Sequence, residues 1–369
     1  MNTKRYGVAL ALVTAGALLL SACGSDNNAD PGAAGQQTIK PECGGKKDLT
    51  GEGSSAQTNA IGEFKLEYGN QCPGQNLAYQ PSGSGKGVTN FNGGLVDFAG
   101  SDSALKSGEE VTKATSRCEG NAPWHLPLVF GPVAVAYNLG ASSPSITLNA
   151  ETIAKVFNGG IKKWNDEAIK KLNPSASLPD KDIIVYYRSD PSGTTENFQK
   201  YLATAAPTTW TQATTKDFAG KVGEGKDKSQ GVANAVKATE GSITYVEASF
   251  ADSAKLSKAK IDNGAGAVEL TNATAGAAIS QAKISGQGND LIVDLKSIYS
   301  SKAKDAYPLV LVTYEIVCSK GYPAETAKAV KAFLTVAAGA GQDQLAKVGY
   351  VPLPNEFRTK VNEAIKAIA

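Results

Sequence analysis

The sequence predicts an α/β protein of two lobes, in a chain that crosses from one lobe to the other and back. Three observations predict this. Short β-rich runs repeatedly enter a Gly- and Ser-rich turn and then a helix-periodic stretch, as in an open α/β sheet. Two long apolar segments, 131–138 and 309–318, read as extended crossings. The length of 369 residues, 41% hydrophobic and 20% charged, suits a soluble globular chain with room for two domains.

The N-terminus stands outside that fold. Lys4 and Arg5 precede an apolar run from Val8 to Leu20, then Leu20-Ser21-Ala22-Cys23-Gly24. This is an export signal, too short for a comfortable membrane span. Its ending resembles a bacterial lipobox, with cleavage before Cys23 and lipid added to that thiol; a plain signal peptide is the alternative. Residues 24–40 are small and polar without periodicity, and read as a tether. Cleavage removes Lys4 and Arg5 and leaves 35 basic residues against 35 acidic ones. A net charge near zero argues against nucleic acid as partner, so any anion site must be local.

With Cys23 lipidated, Cys43, Cys72, Cys118 and Cys318 remain. An even number in an exported chain suggests two disulfides, with three possible pairings. Cys43–Cys72 closes a short loop and leaves Cys118–Cys318, the set we favour. A tetrathiolate zinc site is the alternative, without Cys-x-x-Cys spacing to support it.

Taken in order, the first turn is Leu49-Thr50-Gly51-Glu52-Gly53-Ser54-Ser55-Ala56, where a strand enters a helix with Ile61, Phe64 and Tyr68 on its inner face. Its glycine spacing matches the loose dinucleotide fingerprint, but an exported protein has little access to such cofactors. The strand Asn76–Gln80 leads to Pro81-Ser82-Gly83-Ser84-Gly85-Lys86-Gly87-Val88. This resembles a nucleotide phosphate loop but lacks the hydroxyl residue after Lys86 and has Gln at position 80. What survives is Ser84 at a helix start. A buried strand over 95–101 then carries Asp102 out at its end, where α/β sheets bind ligands; helix capping is the alternative role.

After the first crossing, Asn149 caps a helix bearing Ile153, Val156 and Phe157, and Trp164, Ile169 and Leu172 mark another. The central stretch follows. Strand 182–187 delivers Arg188, and Pro191-Ser192-Gly193-Thr194 turns into a helix with Phe198, Tyr201 and Leu202 on one face. A helix start offers free N–H groups and a partial positive charge, the hydroxyls add donors, and the guanidinium adds a full charge. Residues 238–246 and 291–295 supply further strands, while 251–290 are Ala-, Lys- and Gly-rich with weak patterning. The return crossing 309–318 precedes a long helix with Val330, Phe333 and Leu334. Gly349-Tyr350-Val351-Pro352-Leu353-Pro354 interrupts, and an amphipathic helix ends the chain.

These turns carry a resemblance. Together with Val96-Asp97-Phe98-Ala99-Gly100-Ser101-Asp102, Phe157-Asn158-Gly159-Gly160-Ile161-Lys162-Lys163-Trp164-Asn165-Asp166 and the Gly349–Pro354 segment, they resemble the phosphate-binding lipoproteins of bacterial phosphate-specific ABC transporters. The resemblance implies a type II periplasmic-binding-protein fold, two lobes with a ligand cleft between them and two crossover hinge segments. It implies a signal peptide at 1–22, anchor and tether at 23–45, lobe I at 46–130 and 309–369, and lobe II at 131–308. Carried over by motif, the phosphate contacts fall on Ser54, Ser55, Ala56, Ser84, Asp102, Arg188, Ser192, Gly193 and Thr194. The chain departs from the family at Ser55, where Thr is common, at Ala56, where a larger residue is usual, and at Pro191, which has no N–H to donate.

The implied function is extracytoplasmic capture of inorganic phosphate and delivery to a membrane permease and its ATPase subunits. The implied location is the outer face of the cytoplasmic membrane, through the lipid on Cys23. No cofactor, metal or enzymatic activity is expected. Asp102 favours phosphate over sulfate or molybdate, because a carboxylate beside an anion repels it unless the anion carries a proton to donate. An exported phosphatase is the rival class. The chain has one histidine, His125, read as a packed loop residue, and neither a Gly-x-Ser-x-Gly elbow nor a His-rich metal motif.

Overall fold

A computed structural model describes residues 39–141 and 143–369. The export signal, Cys23 and most of the tether lie outside the described residues. The chain begins with β1 (Asp48–Gly53), helix α1 (Thr58–Gln71), β2 (Asn76–Gln80), α2 (Ser84–Asn92) and β3 (Phe98–Ser101). β1 pairs in parallel with β2 on one edge and β3 on the other. α1 buries Ala60, Ile61, Phe64 and Tyr68, the face that its periodicity predicts. α3 (Glu109–Arg117) then leads into β4 (Pro123–Asn138), sixteen residues long and buried along nearly all its length.

The second half repeats the strand–turn–helix theme. β5 (Thr147–Asn149) runs into α4 (Ala150–Phe157), which starts with the expected cap: Asn149 accepts from Thr152 N, and Thr152 returns a bond to Asn149 N. α5 (Glu167–Leu172), β6 (Ile184–Arg188) and α6 (Gly193–Ala205) follow. Next come β7 (Glu224–Lys226), α7 (Lys228–Ala238), β8 (Ser242–Glu247) and α8 (Ala248–Ala254). The weakly patterned region resolves into β9 (Ser257–Lys258), β10 (Lys260–Asp262), β11 (Ala267–Val268), α9 (Asn272–Ile279), β12 (Lys283–Ile284) and β13 (Val293–Asp294). Strands of two or three residues carry too few alternations to be read from sequence. β14 (Val310–Cys318) and helices Ala324–Ala338 and Asn355–Ala367 complete the chain.

One sheet runs through the protein in the order β2-β1-β3-β14-β4-β8-β6-β7. β14 is antiparallel to both β3 and β4, and β4 is antiparallel to β8. Two apolar cores flank this sheet. β4 contributes Leu126 to Phe130 to the first and Val133 to Tyr137 to the second. β14 and the residue before it serve both, with Val310 and Val312 in the first core and Leu309 and Leu311 in the second. Ala275, Ala278, Ile279, Leu291, Val293 and Ile298 pack into the first core, although they precede the return crossing. Disulfides join Cys43 to Cys72 and Cys118 to Cys318, the favoured pairing.

Three local expectations need correction. Leu95 is 72% exposed and β3 begins only at Phe98, because Gly93 and Gly94 end α2 and leave Leu95 in a surface turn. Trp164 is fully buried but precedes α5, whose cap is Asp166. His125 is no loop residue: it lies in β4, with Nδ1 2.6 Å from Asp290 Oδ1 and Nε2 accepting from Leu105 N at 2.9 Å. Both bonds hold surrounding loops to the strand.

Candidate anion-binding site

The first-lobe wall is built where β1, β3 and the turn before α2 end side by side. Ser54 follows β1 directly, and its Oγ donates to Asp102 Oδ2 at 2.7 Å while accepting from Ala56 N at 3.0 Å. Ser84 opens α2; its Oγ donates to the same carboxylate oxygen at 3.1 Å and accepts from Asp102 N at 3.2 Å. Thr313 of β14 donates to the other oxygen at 2.7 Å. Asp102, 2% exposed, therefore collects three hydroxyls, and it caps no helix, since α3 begins only at Glu109. Burial pushes its carboxyl up to about 6, against the lowering effect of those bonds.

The second-lobe wall carries the cation. Arg188 ends β6 with its side chain almost wholly buried, and Asp190 grips it through Nε at 2.7 Å and Nη2 at 2.5 Å. Burial works against the guanidinium charge, but the Asp190 bonds and charge outweigh it and hold the pKa above its ordinary value. Asp190 is correspondingly held low, as Arg188 and the Lys228 backbone N–H overcome its burial. The remaining nitrogen, Nη1, points at Ser229 Oγ (3.1 Å) and Thr194 Oγ1 (3.5 Å). Ser192 is the cap of α6, its Oγ accepting from Thr195 N at 3.2 Å. Gly193 and Thr194 form the helix start, and Thr194 Oγ1 donates to Glu247 Oε1 at 2.5 Å. Glu247 Oε2 is buried without a partner.

The walls meet. Ser55 Oγ lies 3.0 Å from Ser229 Oγ, Asn197 Nδ2 donates to the Asp102 carbonyl at 2.6 Å, and Gly85 N donates to the Pro191 carbonyl at 3.0 Å. A side chain at Gly193 would have nowhere to go: its Cβ would stand 2.5 Å from Asp102 Cβ and 2.7 Å from Ser84 Oγ. The starts of α1, α2 and α6 thus converge with Asp102 and Arg188, and all nine residues expected from the sequence lie in this cluster. A lining of hydroxyls and helix N-termini with one guanidinium suits a small oxyanion. A cavity of about 770 Å³ opens beside it, reaching from Asp102 and Asn197 to Lys200, Val293, Tyr299 and Tyr314. Among the described residues, no group of three or more His, Cys, Asp or Glu is placed to hold a metal ion.

Sequence reasoning missed Ser229, Asn197, Glu247 and Thr313. Ser229 stands in Lys228-Ser229-Gln230-Gly231, which reads as surface. Thr313 and Glu247 belong to strands whose polar residues could have drawn notice, because an otherwise apolar buried strand keeps a polar group only where it has a partner.

Comparisons with known proteins show the family and the fold. A model described as a PBP superfamily domain matches residues 28–340. "Phosphate-binding protein PstS 3" of Mycobacterium tuberculosis is 48% identical over 373 residues, covering 100% of both chains. "Phosphate-binding protein PstS" of Methanocaldococcus jannaschii is 34% identical, covering 79% of this chain and 78% of its own. Among solved structures, a high affinity periplasmic phosphate-binding protein, PfluDING, bound with phosphate, superposes with a TM-score of 0.68 at 23% identity, over 86% of this chain and 93% of its own. A phosphate ABC transporter substrate-binding protein from Clostridium perfringens, described as putative and with bound phosphate, gives 0.60 at 18% identity, over 83% and 100%. At such identities the likeness is one of fold.

Proposed function

This chain belongs to the PBP superfamily and to the family of phosphate-binding proteins named PstS, and from that premise we propose that it captures inorganic phosphate outside the cytoplasm for delivery to the permease and ATPase subunits of an ABC transporter. The relatives are binding proteins and not enzymes. The reading rests above all on Asp102, a buried carboxylate set among three hydroxyls beside the start of α6. Such a group is repulsive to an anion unless the anion has a hydrogen to give. Phosphate keeps a proton at neutral pH and sulfate does not, so the site favours phosphate over its sulfate and molybdate look-alikes.

Ser54, Ser55, the Ala56 backbone, Ser84 and Asp102 would hold the ligand from lobe I, and Arg188, Ser192, Gly193 and Thr194 from lobe II. The chain crosses between the lobes near 131 and 309, with residues 275–298 packing on the first core ahead of the second crossing, and the lobes close over the ligand by bending at those crossings. The anchor is lipid on Cys23, which mass spectrometry of the mature N-terminus checks: an unmodified cysteine, or cleavage elsewhere, removes it. Calorimetric titration with phosphate and sulfate side by side at neutral pH tests the function. Phosphate is expected to bind tightly and sulfate weakly or not at all. Equal binding, or none by phosphate, overturns the reading.

A further inference from the structure

Glu315 lies on β14 in the row opposite Gly100 of β3 and Leu126 of β4, and it is fully buried. Neither of its carboxyl oxygens has a hydrogen-bond partner, and Oε1 of Gln57 has none either. The two groups share one pocket. Residues paired across adjacent strands send their side chains to the same face. Over Gly100 that face is filled by the Gln57 amide and the Tyr79 hydroxyl, which a Cβ on Gly100 would strike. Gln57 is the polar side chain near enough to influence the Glu315 carboxyl.

Donor and acceptor capacities settle which way each group must face. Tyr79 Oη gives its one hydrogen to the Ser54 carbonyl at 2.9 Å. It can then only accept, and it accepts from Gln57 Nε2 at 3.0 Å. The amide is oriented by that bond, which leaves Oε1, a pure acceptor, in need of a donor. Glu315 can donate only as a carboxylic acid. Neither Glu315 oxygen has a donor within hydrogen-bond distance, the second N–H of Gln57 included, so an ionised carboxylate sealed there would carry the full cost of an unpaired buried charge.

We propose that Glu315 is held protonated and donates to Gln57 Oε1, so that a relay from Glu315 through Gln57 and Tyr79 positions Ser54 and keeps a second negative charge from standing behind Asp102. Of the groups packed on this face, Asp102 from the loop after β3 acts on Glu315 directly, and it is an acid. Tyr79 comes from β2, and Glu52 of β1 acts on Tyr79 rather than on Glu315. No Lys or Arg is among the groups acting on Glu315. Burial, with a smaller push from Asp102 and against the lowering effect of the nearby Gln57 amide, raises its carboxyl to about 8. Glu315 does not touch the ligand. It is a positioning residue that also sets the charge of the wall.

This inference rests on the phosphate reading, and its test separates the two. Glu315→Gln keeps the shape, stays neutral at every pH and offers an N–H to Gln57. Phosphate affinity is measured for wild type and variant from about pH 6.5 to about pH 9.5, and the ratio of the two cancels the ligand's own titration. The ratio is expected to move in favour of the variant by roughly tenfold or more as Glu315 ionises in the wild type. A ratio that does not change with pH overturns the assignment. Thermal unfolding of ligand-free protein is followed in parallel. The folded state keeps a proton that the unfolded chain releases above the ordinary carboxyl range, so wild-type stability relative to the variant falls from about pH 4.5 to about pH 8 and is level above it. If that trend holds while neither protein binds phosphate, the functional reading fails and the protonated Glu315 stands. Should the variant not fold, infrared spectroscopy of the wild type decides: a protonated-carboxyl band that persists at pH 7 and disappears above about pH 8 supports the proposal, and its absence at pH 7 overturns it.

Discussion

On the first-lobe wall a carboxylate, Asp102, is ringed by the hydroxyls of Ser54, Ser84 and Thr313. On the second, a guanidinium is backed by Asp190 and fronted by the hydroxyls of Thr194 and Ser229. The first wall carries charge of the wrong sign for an anion, without a cation bonded to it. The second has a cation, bonded from behind by Asp190 and with the Glu247 carboxylate close by. Attraction therefore belongs to the second wall and discrimination to the first. Because both charges are buried, neither role is diluted by solvent, and a chain with a formal net charge of only +2 can still present a local anion site.

Arg188→Ala is the hardest way to break this division. It removes the cation and leaves Asp190 buried against little but the Lys228 N–H. A charge-assisted bond to the ligand contributes about 1.5–3 kcal/mol, so phosphate affinity should fall by at least about tenfold in calorimetry. Unchanged binding would move the site elsewhere. Asp102→Asn sharpens the contrast from the other side. Phosphate should bind about as well or somewhat more weakly, since an acceptor and a repulsion disappear together. Sulfate should gain, narrowing the preference for phosphate by roughly tenfold to a hundredfold, as read by competitive displacement at fixed pH and salt. Equal exclusion of sulfate by both proteins would place selectivity in another residue. Ser229→Ala should do least. It severs bonds from Arg188 and to Ser55, each contributing about 1 kcal/mol, so phosphate and sulfate should weaken together by only several-fold. A change in the ratio of the two would mean that Ser229 takes part in discrimination.

The three strand–turn–helix stretches were legible because everything they need is local. Ser54, Ser84 and Ser192 each sit within a few residues of the strand end and the helix start that give them their role. The Arg188–Asp190 grip spans only two residues and is equally readable. What could not be read is brought in from afar. Ser229 reaches Ser55 across 174 positions and Thr313 reaches Asp102 across 211, and one sequence holds no trace of such a meeting. Glu315 left a faint trace, as the one acid in the apolar run from Leu309 to Cys318. Its meaning required knowing that Gly100 lies opposite and leaves room for Gln57. Residues 251–290 stayed unread for another reason: their strands are too short for a period to repeat.

The position of β14 also dictates an order of events. It lies between β3 and β4, so the sheet cannot run from β3 to β4 until β14 has been made. The second lobe has its own run of β4, β8, β6 and β7 in hand once Glu247 has been added. The first waits for Cys318 and for the two long helices beyond it. Domains tend to fold as units during synthesis, early ones first, and here the lobe that begins the chain is the one that finishes last. The candidate anion site, which needs Thr313 from that inserted strand, is therefore completed only once β14 is in place.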